Sequence, residues 1–349
     1  MSGREKRRSR SHSVLSTKHS VLIGDSVLSP VQPVPGVQEV TQSSVLSPQS
    51  MSLRIGDITI HLFTEDPEMK LQVEGAIRDF LVDEAQPNIR VRAAWAELSR
   101  DIMGHKLFDS GSVWQLYCRN GSYLFRFATR AYGLNPYKIA IFDSDFSVGE
   151  VYLHRPYFNP AQPVNPLEYP LDELLITHLL ARGGGVEIHA CGLIDLRGNG
   201  CLFVGQSEAG KTTMARLWQK QKGVTILSDD RIILRKLGKK IWMYGTPWHG
   251  DAGLACPARA PLMTVYFLRH DQKNELIFQR PVDALARLFA CSFPLFYNRE
   301  ALDSTFTFLE DVVKNVPCYE LQFKPDNHVL EFVQHEHSTS RALSPCGGV

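Results

Sequence analysis

The stretch Cys201-Leu202-Phe203-Val204-Gly205-Gln206-Ser207-Glu208-Ala209-Gly210-Lys211-Thr212-Thr213 decides the fold. Its four leading apolar residues predict a strand, the glycine-spaced run a tight loop, and residues 211–220 a helix. Glycine, any four residues, glycine, lysine, then serine or threonine is matched in full. Average composition would yield that match by chance about once in a hundred chains of this length. The chemistry asks for these residue types. Gly205 and Gly210 let the backbone curl until successive N–H groups converge on phosphate oxygens, and the helix that follows adds the positive end of its dipole. Lys211 is placed to reach the β- and γ-phosphates, and the Thr212 hydroxyl to complete a Mg²⁺ shell. Residues Gly205, Gln206, Ser207, Glu208, Ala209, Gly210, Lys211, Thr212 and Thr213 are therefore the expected nucleotide cradle, with ATP and Mg²⁺ as cofactors. Glu208, an anion in an anion site, fits only with its side chain turned away from the phosphates.

Eighteen residues beyond Lys211, the apolar run Val224-Thr225-Ile226-Leu227-Ser228 delivers two adjacent acids, Asp229 and Asp230, followed by Arg231. In an open α/β sheet ligands gather at the carboxyl ends of strands. Neighbouring strand residues point to opposite faces, so one acid suits a metal and the other a proton. Spacing leaves open which is which. Upstream, Val186-Glu187-Ile188-His189-Ala190-Cys191-Gly192 is a short strand carrying one histidine, either a core residue or a catalytic one. His249 lies in the Gly/Pro-rich loop Gly245–Asp251 beside Trp248, which is expected to be exposed; the loop suits an acceptor cover and a tight turn equally.

Taken together, Ile188-His189-Ala190-Cys191-Gly192-Leu193-Ile194-Asp195, Gly198-Asn199-Gly200, the 205–212 loop and Ser228-Asp229-Asp230-Arg231 resemble, in type and order, the HPr kinase/phosphorylase family. That family belongs to a wider group with phosphoenolpyruvate-carboxykinase-like nucleotide folds. The similarity spans about residues 170–270. It implies an α/β fold, a P-loop nucleotide-binding domain with a mixed sheet, and a Mg²⁺-dependent kinase that transfers the γ-phosphoryl group of ATP to a serine-type hydroxyl. Under the resemblance Lys211 and His189 are catalytic-site residues and Asp229 is the base that deprotonates the hydroxyl. Asp230 and Thr212 stand on the metal side. The family's Gly-Arg-Asn signature is absent from this sequence, and its loop, Gly-Asp-Ser-Gly-x-Gly-Lys-Ser, differs here at Gln206, Glu208 and Thr212. The chain thus looks more like the divergent relatives, whose acceptor is a protein, a peptide or a small molecule. Two alternatives stand beside this one: a non-catalytic ATP-binding regulator, and carboxykinase-type transfer to an enolate.

The rest of the chain frames that domain. Residues 1–51 read as a disordered low-complexity leader, with Met51 a candidate start. Ser-Val-Leu-Ser or its fragment recurs at 13–16, 20–22, 26–29 and 44–47, behind a basic cluster at residues 4–10. Residues 52–155 predict a small α+β domain with an antiparallel sheet. Its hairpin turns at Asn120-Gly121 and its single helix carries Val73, Ala76, Ile77, Phe80 and Leu81 on one face. Prolines at 156, 160, 163, 166 and 170 mark a linker over 156–170, followed by a helix over 171–182 ended by three glycines. The kinase domain is expected over 171–333 and an unordered tail over 334–349. With 349 residues, 44% hydrophobic and 21% charged, the composition is that of a globular protein of one large or two moderate domains. A net charge of +1 argues against nucleic acid or a membrane as main partner, and no run of eighteen apolar residues offers a spanning helix. Seven scattered cysteines with no C-x-x-C pair read as free thiols of a cytoplasmic protein. Whether the chain is a homo-oligomer is left open.

Overall fold

The structure is a computed structural model that describes residues 49–83, 86–101, 104–133, 135–159 and 161–342, with side chains as far as His335. Of the leader expected over 1–51, residues 1–48 lie outside the described residues, as do residues 343–349, while 49–51 are in a strand rather than unordered. A first sheet is built from β1 (Gln49–Ile55), β2 (Ile58–Thr64), β3 (Leu81–Val82), β4 (Ile89–Ala96), β5 (His105–Asp109), β6 (Trp114–Arg119), β7 (Ser122–Phe127), β8 (Lys138–Phe142) and β9 (Val148–His154). The spatial order is β3-β1-β2-β4-β9-β8-β7-β6-β5. The first strand starts at Gln49, two residues ahead of Met51. The β6–β7 hairpin turns at Asn120 (φ 50°) and Gly121 (φ 80°), the positive pair a type I′ turn requires.

Two expectations change here. The sheet is mixed rather than antiparallel, because β2, β4 and β9 pair in parallel across long connections. The helix expected around 73–81 shrinks to a 3-10 helix, Gly75–Phe80, because Leu81 and Val82 are drawn into strand pairing with β1.

Helix α1 (Leu171–Leu179) then lies against this sheet. Leu171, Leu175 and Ile176 share a core with Ile60, Phe125 and Phe142, and Leu167 from the proline-rich stretch is buried in that core. The same core takes Ile233, Tyr244 and Trp248 from farther along the chain, so the two halves share one core. Val164 is tied by main-chain bonds to Lys70 (2.8 Å) and Gln72 (3.0 Å).

Two buried groups on α1 give opposite responses to pH. His178 Nδ1 lies 2.5 Å from the Leu174 carbonyl, which only accepts. Nε2 must therefore accept from the Tyr297 hydroxyl, and the ring is neutral. Burial pulls its pKa down to about 4. Burial pushes Asp172 up to about 7, against hydrogen bonds from Trp248 Nε1 (2.9 Å) and the Glu173 amide (2.8 Å). The depressed histidine contributes stability that is present above its unfolded value of about 6.5 and is lost as pH falls toward its folded value. The raised aspartate contributes stability that is present below about 3.9 and is lost as pH rises through its folded value. The slopes oppose each other, each at most about 1.4 kcal/mol per pH unit. His178→Gln is expected to unmask the aspartate: urea-unfolding stability of the variant should rise as pH drops from 7 toward 4.5, more steeply than for the parent. Parallel profiles for the two proteins would contradict this.

The second sheet comprises β10 (Val186–Ile194), β11 (Gly200–Val204), β12 (Thr225–Ser228), β13 (Arg231–Leu237), β14 (Lys240–Tyr244), β15 (Arg259–His270), β16 (Glu275–Phe278) and β17 (Cys318–Phe323). Between and after them run α2 (Lys211–Gln219), α3 (Pro281–Ala290), α4 (Arg299–Asn315) and α5 (His328–Ala342). β11 sits between antiparallel β10 and parallel β15. Its side chains alternate: Leu202 and Val204 pack with Leu288, Leu309 and Val312 of α3 and α4, while Phe203 packs with Met214 and Trp218 of α2 and Val329 and Val333 of α5. A sheet covered on both faces places the end of β11 at the centre of a helix-flanked layer. Helix α5 runs past Gln334, where an unordered tail is expected, because Val329, Leu330 and Val333 give it an apolar face to bury. No helix among the described residues is long and apolar enough to cross a membrane.

Candidate functional site

β11 ends at Val204 and α2 begins at Lys211, so the glycine-spaced loop joins strand to helix as expected. It is tight at both ends. A β-carbon on Gly205 would stand 2.4 Å from that of Ala209. One on Gly210, which has φ +102°, would stand 2.6 Å from Phe323 Cζ. Gly210→Ala is therefore expected to cost about 1–3 kcal/mol of stability, read from the urea midpoint, and to weaken nucleotide binding with it. An unchanged midpoint and affinity would contradict the loop geometry. Glu208 is exposed, at φ 68°. Lys211 is only 6% exposed, and its ammonium donates to the carbonyls of Gly205 (2.9 Å) and Gln206 (3.1 Å). Burial lowers its pKa, against the opposing charge of Asp230. The first-turn amides of α2 lack carbonyls one turn earlier and are left as donors at its N-terminal end.

The two acids after β12 diverge. The Ser228 hydroxyl accepts from the amides of Asp230 (3.3 Å) and Arg231 (3.2 Å) and donates to the Trp248 carbonyl (3.2 Å), which fixes the turn that separates them. Asp229, the base under the family resemblance, is 1% exposed and accepts three main-chain N–H groups: Gly250 (3.0 Å), Ala252 (2.9 Å) and Leu254 (3.3 Å). Three of about four lone-pair positions are thus taken by a loop. Its geometry is that of a clamp on residues 250–254.

Asp230 has different partners. One of its oxygens lies 2.8 Å from His189 Nε2, and the other accepts from Arg231. Among the described residues His189 Nδ1 has no hydrogen-bond partner. Burial alone would raise the Asp230 pKa, but the His189 hydrogen bond and the charges of Arg231, His189 and Lys211 hold it below the usual carboxylate value. Arg231 is itself held by Glu173 (3.3 Å) and Glu187 (3.4 Å), and its guanidinium stacks 4.3 Å over Phe293. Glu187 is buried on β10, and burial, with the neighbouring charge of Glu173, lifts its pKa well above the ordinary range despite Arg231. The result is a linked chain of ionisable groups from α1 to the strand that carries His189.

Thr212 is the second residue of α2, next to Lys211. No cluster of three or more metal-ligating side chains occurs among the described residues. A hydroxyl at a phosphate loop still fits Mg²⁺, which keeps several waters and takes most of its remaining ligands from the nucleotide. His249 is exposed, and its Nδ1 lies 3.0 Å from the Gly250 carbonyl. Trp248, expected to be exposed, is buried because its indole N–H is spent on Asp172. The part that sequence reasoning missed is the Arg231–Glu173–Glu187 network with Phe293, whose members come from four separate segments. Cys118, Cys191, Cys201, Cys256, Cys291 and Cys318 are all free thiols.

No family model matches the chain, and no curated protein matches it. Among solved structures it is similar to the HPr(Ser) kinase/phosphatase from Coxiella burnetii, with a TM-score of 0.27 and 12% identity over 45% of this chain and 94% of that one. The likeness is weak.

Proposed function

We propose that the chain is an ATP-dependent, Mg²⁺-dependent kinase that transfers the γ-phosphoryl group to a serine-type hydroxyl. The observation that carries this is the His189–Asp230 pair held beside Lys211 and a complete phosphate loop. Residues 205–213 bind the phosphates through main-chain amides, and Lys211 adds the positive charge that transfer of the γ-phosphoryl group to a hydroxyl needs. Mg²⁺, when bound, spreads the charge building between the β- and γ-phosphates; Thr212 would hold it, with Asp230 as the nearby carboxylate. The roles of the acids differ from those the family resemblance implies. His189 is the base: Nε2–H donates to Asp230, which leaves Nδ1 to take the proton of the acceptor hydroxyl. Asp230 fixes the tautomer and stabilises the imidazolium, and Arg231 pins Asp230. Asp229 holds the 250–254 loop.

The test is incubation with γ-labelled ATP and hydroxyl acceptors, in parallel with an ATP-binding titration. Transfer of label that disappears in His189→Ala is expected. Saturable ATP binding with no transfer to any acceptor would favour a nucleotide-binding regulator.

A further inference from the structure

A cavity of about 430 Å³ opens between the first sheet and the segment after α3, with Phe108, Trp114, Leu174, Thr177, Phe293 and Phe296 among its walls. Its volume lies within the range of ligand sites, ~300–1,000 Å³. At its rim two large apolar side chains face water, Phe296 at 65% and Tyr169 at 59% exposure. Two of its wall residues, Phe293 and Glu173, contact Arg231, which holds Asp230, so the cavity ends one side chain away from the His189–Asp230 pair. The site therefore has an apolar room next to its base. An acceptor that fits would carry a hydroxyl directly beside a small apolar body.

The same chain contains that pattern four times. Ser13-Val14-Leu15-Ser16, Ser20-Val21-Leu22, Ser26-Val27-Leu28-Ser29 and Ser44-Val45-Leu46-Ser47 each set a serine hydroxyl against a Val-Leu pair. We propose that the three repeats within 13–29 are acceptors of the site in cis, with Val-Leu seated in the cavity and the adjacent serine at His189; this rests on the kinase assignment above. The serine Oγ forms a bond to the γ-phosphorus of the nucleoside triphosphate, and the bond from that phosphorus to the bridging oxygen breaks. The serine proton passes to His189 Nδ1, and the nucleoside diphosphate leaves.

Reach makes the inference selective. The chain enters the fold at Gln49, whose side chain accepts from the Leu71 amide (2.9 Å), and β1 is six strand positions from β6 of the cavity wall. At ~4.8 Å per strand that is roughly 29 Å across the sheet. Ser47 lies two residues before Gln49 and reaches about 7 Å fully extended, and Ser44 about 17 Å. Ser29 lies twenty residues before Gln49, enough for about 70 Å, and the earlier repeats reach farther. Only the repeats within 13–29 can serve in cis.

The experiment uses the full-length chain with Mg²⁺-ATP, mapping phosphosites by mass spectrometry over a protein dilution series and titrating ATP binding on the same preparation. Phosphate on serines of 13–29, formed at a per-molecule rate independent of dilution and sparing Ser44 and Ser47, is expected. Phe296→Ala, a change at an exposed position, should slow that labelling about tenfold. Bound ATP without phosphate on residues 13–29, equal labelling of Ser44 and Ser47, or a rate that falls with dilution overturns the inference and leaves the kinase assignment standing. Failure to bind ATP removes both.

Discussion

Lys211→Ala is expected to abolish nucleotide-dependent phosphoryl transfer. The ammonium is nearly buried, sits at the first position of α2 and closes the loop through the carbonyls of Gly205 and Gln206. Losing it removes the one charge of the loop that can meet the β- and γ-phosphates and leaves two carbonyls without their donor. Charge stabilisation of a transferring group from a single preorganised donor accounts for about 10²–10³ in rate. A full cation beside a polyphosphate should account for at least that much. Weaker ATP binding is expected with it, because the interaction exists before transfer as well as during it. Label transfer and an ATP titration on the same variant read both effects. Turnover within a few-fold of the parent would show that Lys211 does not face the nucleotide.

The second large effect separates the neighbouring acids. Asp230→Asn and His189→Ala are each expected to lower turnover about 10²–10⁴-fold while ATP still binds, since general-base catalysis and tautomer control act on the transfer step. Asp229→Asn is expected to behave differently. Its carboxylate accepts three amides of residues 250–254, and an amide side chain would turn its NH₂ toward at least one of those donors. The expected cost is about 1–3 kcal/mol of stability, with increased protease sensitivity at the 250–254 loop. Steady-state rates with ATP titrations and urea unfolding of all three variants separate the cases. A stable Asp229→Asn protein that binds ATP but lacks turnover would make Asp229 the base and overturn the assignment of His189.

Much of this was legible in residues 201–213, because glycine positions, a lysine and a helix start are set by local geometry. The hairpin at Asn120-Gly121 was legible for the same reason. β4, with Ile89, Val91 and Ala93 buried in alternation, was missed, and its parallel neighbours do not follow from its own residues. The surroundings of Asp229 and Asp230 were not legible: adjacency says that two side chains diverge, and the side each takes depends on amides 21 and 23 residues after Asp229. Trp248 looked exposed in a loop rich in glycine and proline, and only a partner on α1, Asp172, explains its burial. The Glu173–Arg231–Glu187 network joins α1, β10 and β13, so no window of sequence contains it.

The most direct test of the central claim is amide NMR of the protein as Mg²⁺-ATP is added. Saturable shifts centred on Gly205–Thr213, with His189 ring signals moving in step, are predicted for a triphosphate seated on the loop and facing the pair. Shifts confined to other parts of the molecule, or none up to millimolar nucleotide, would contradict it.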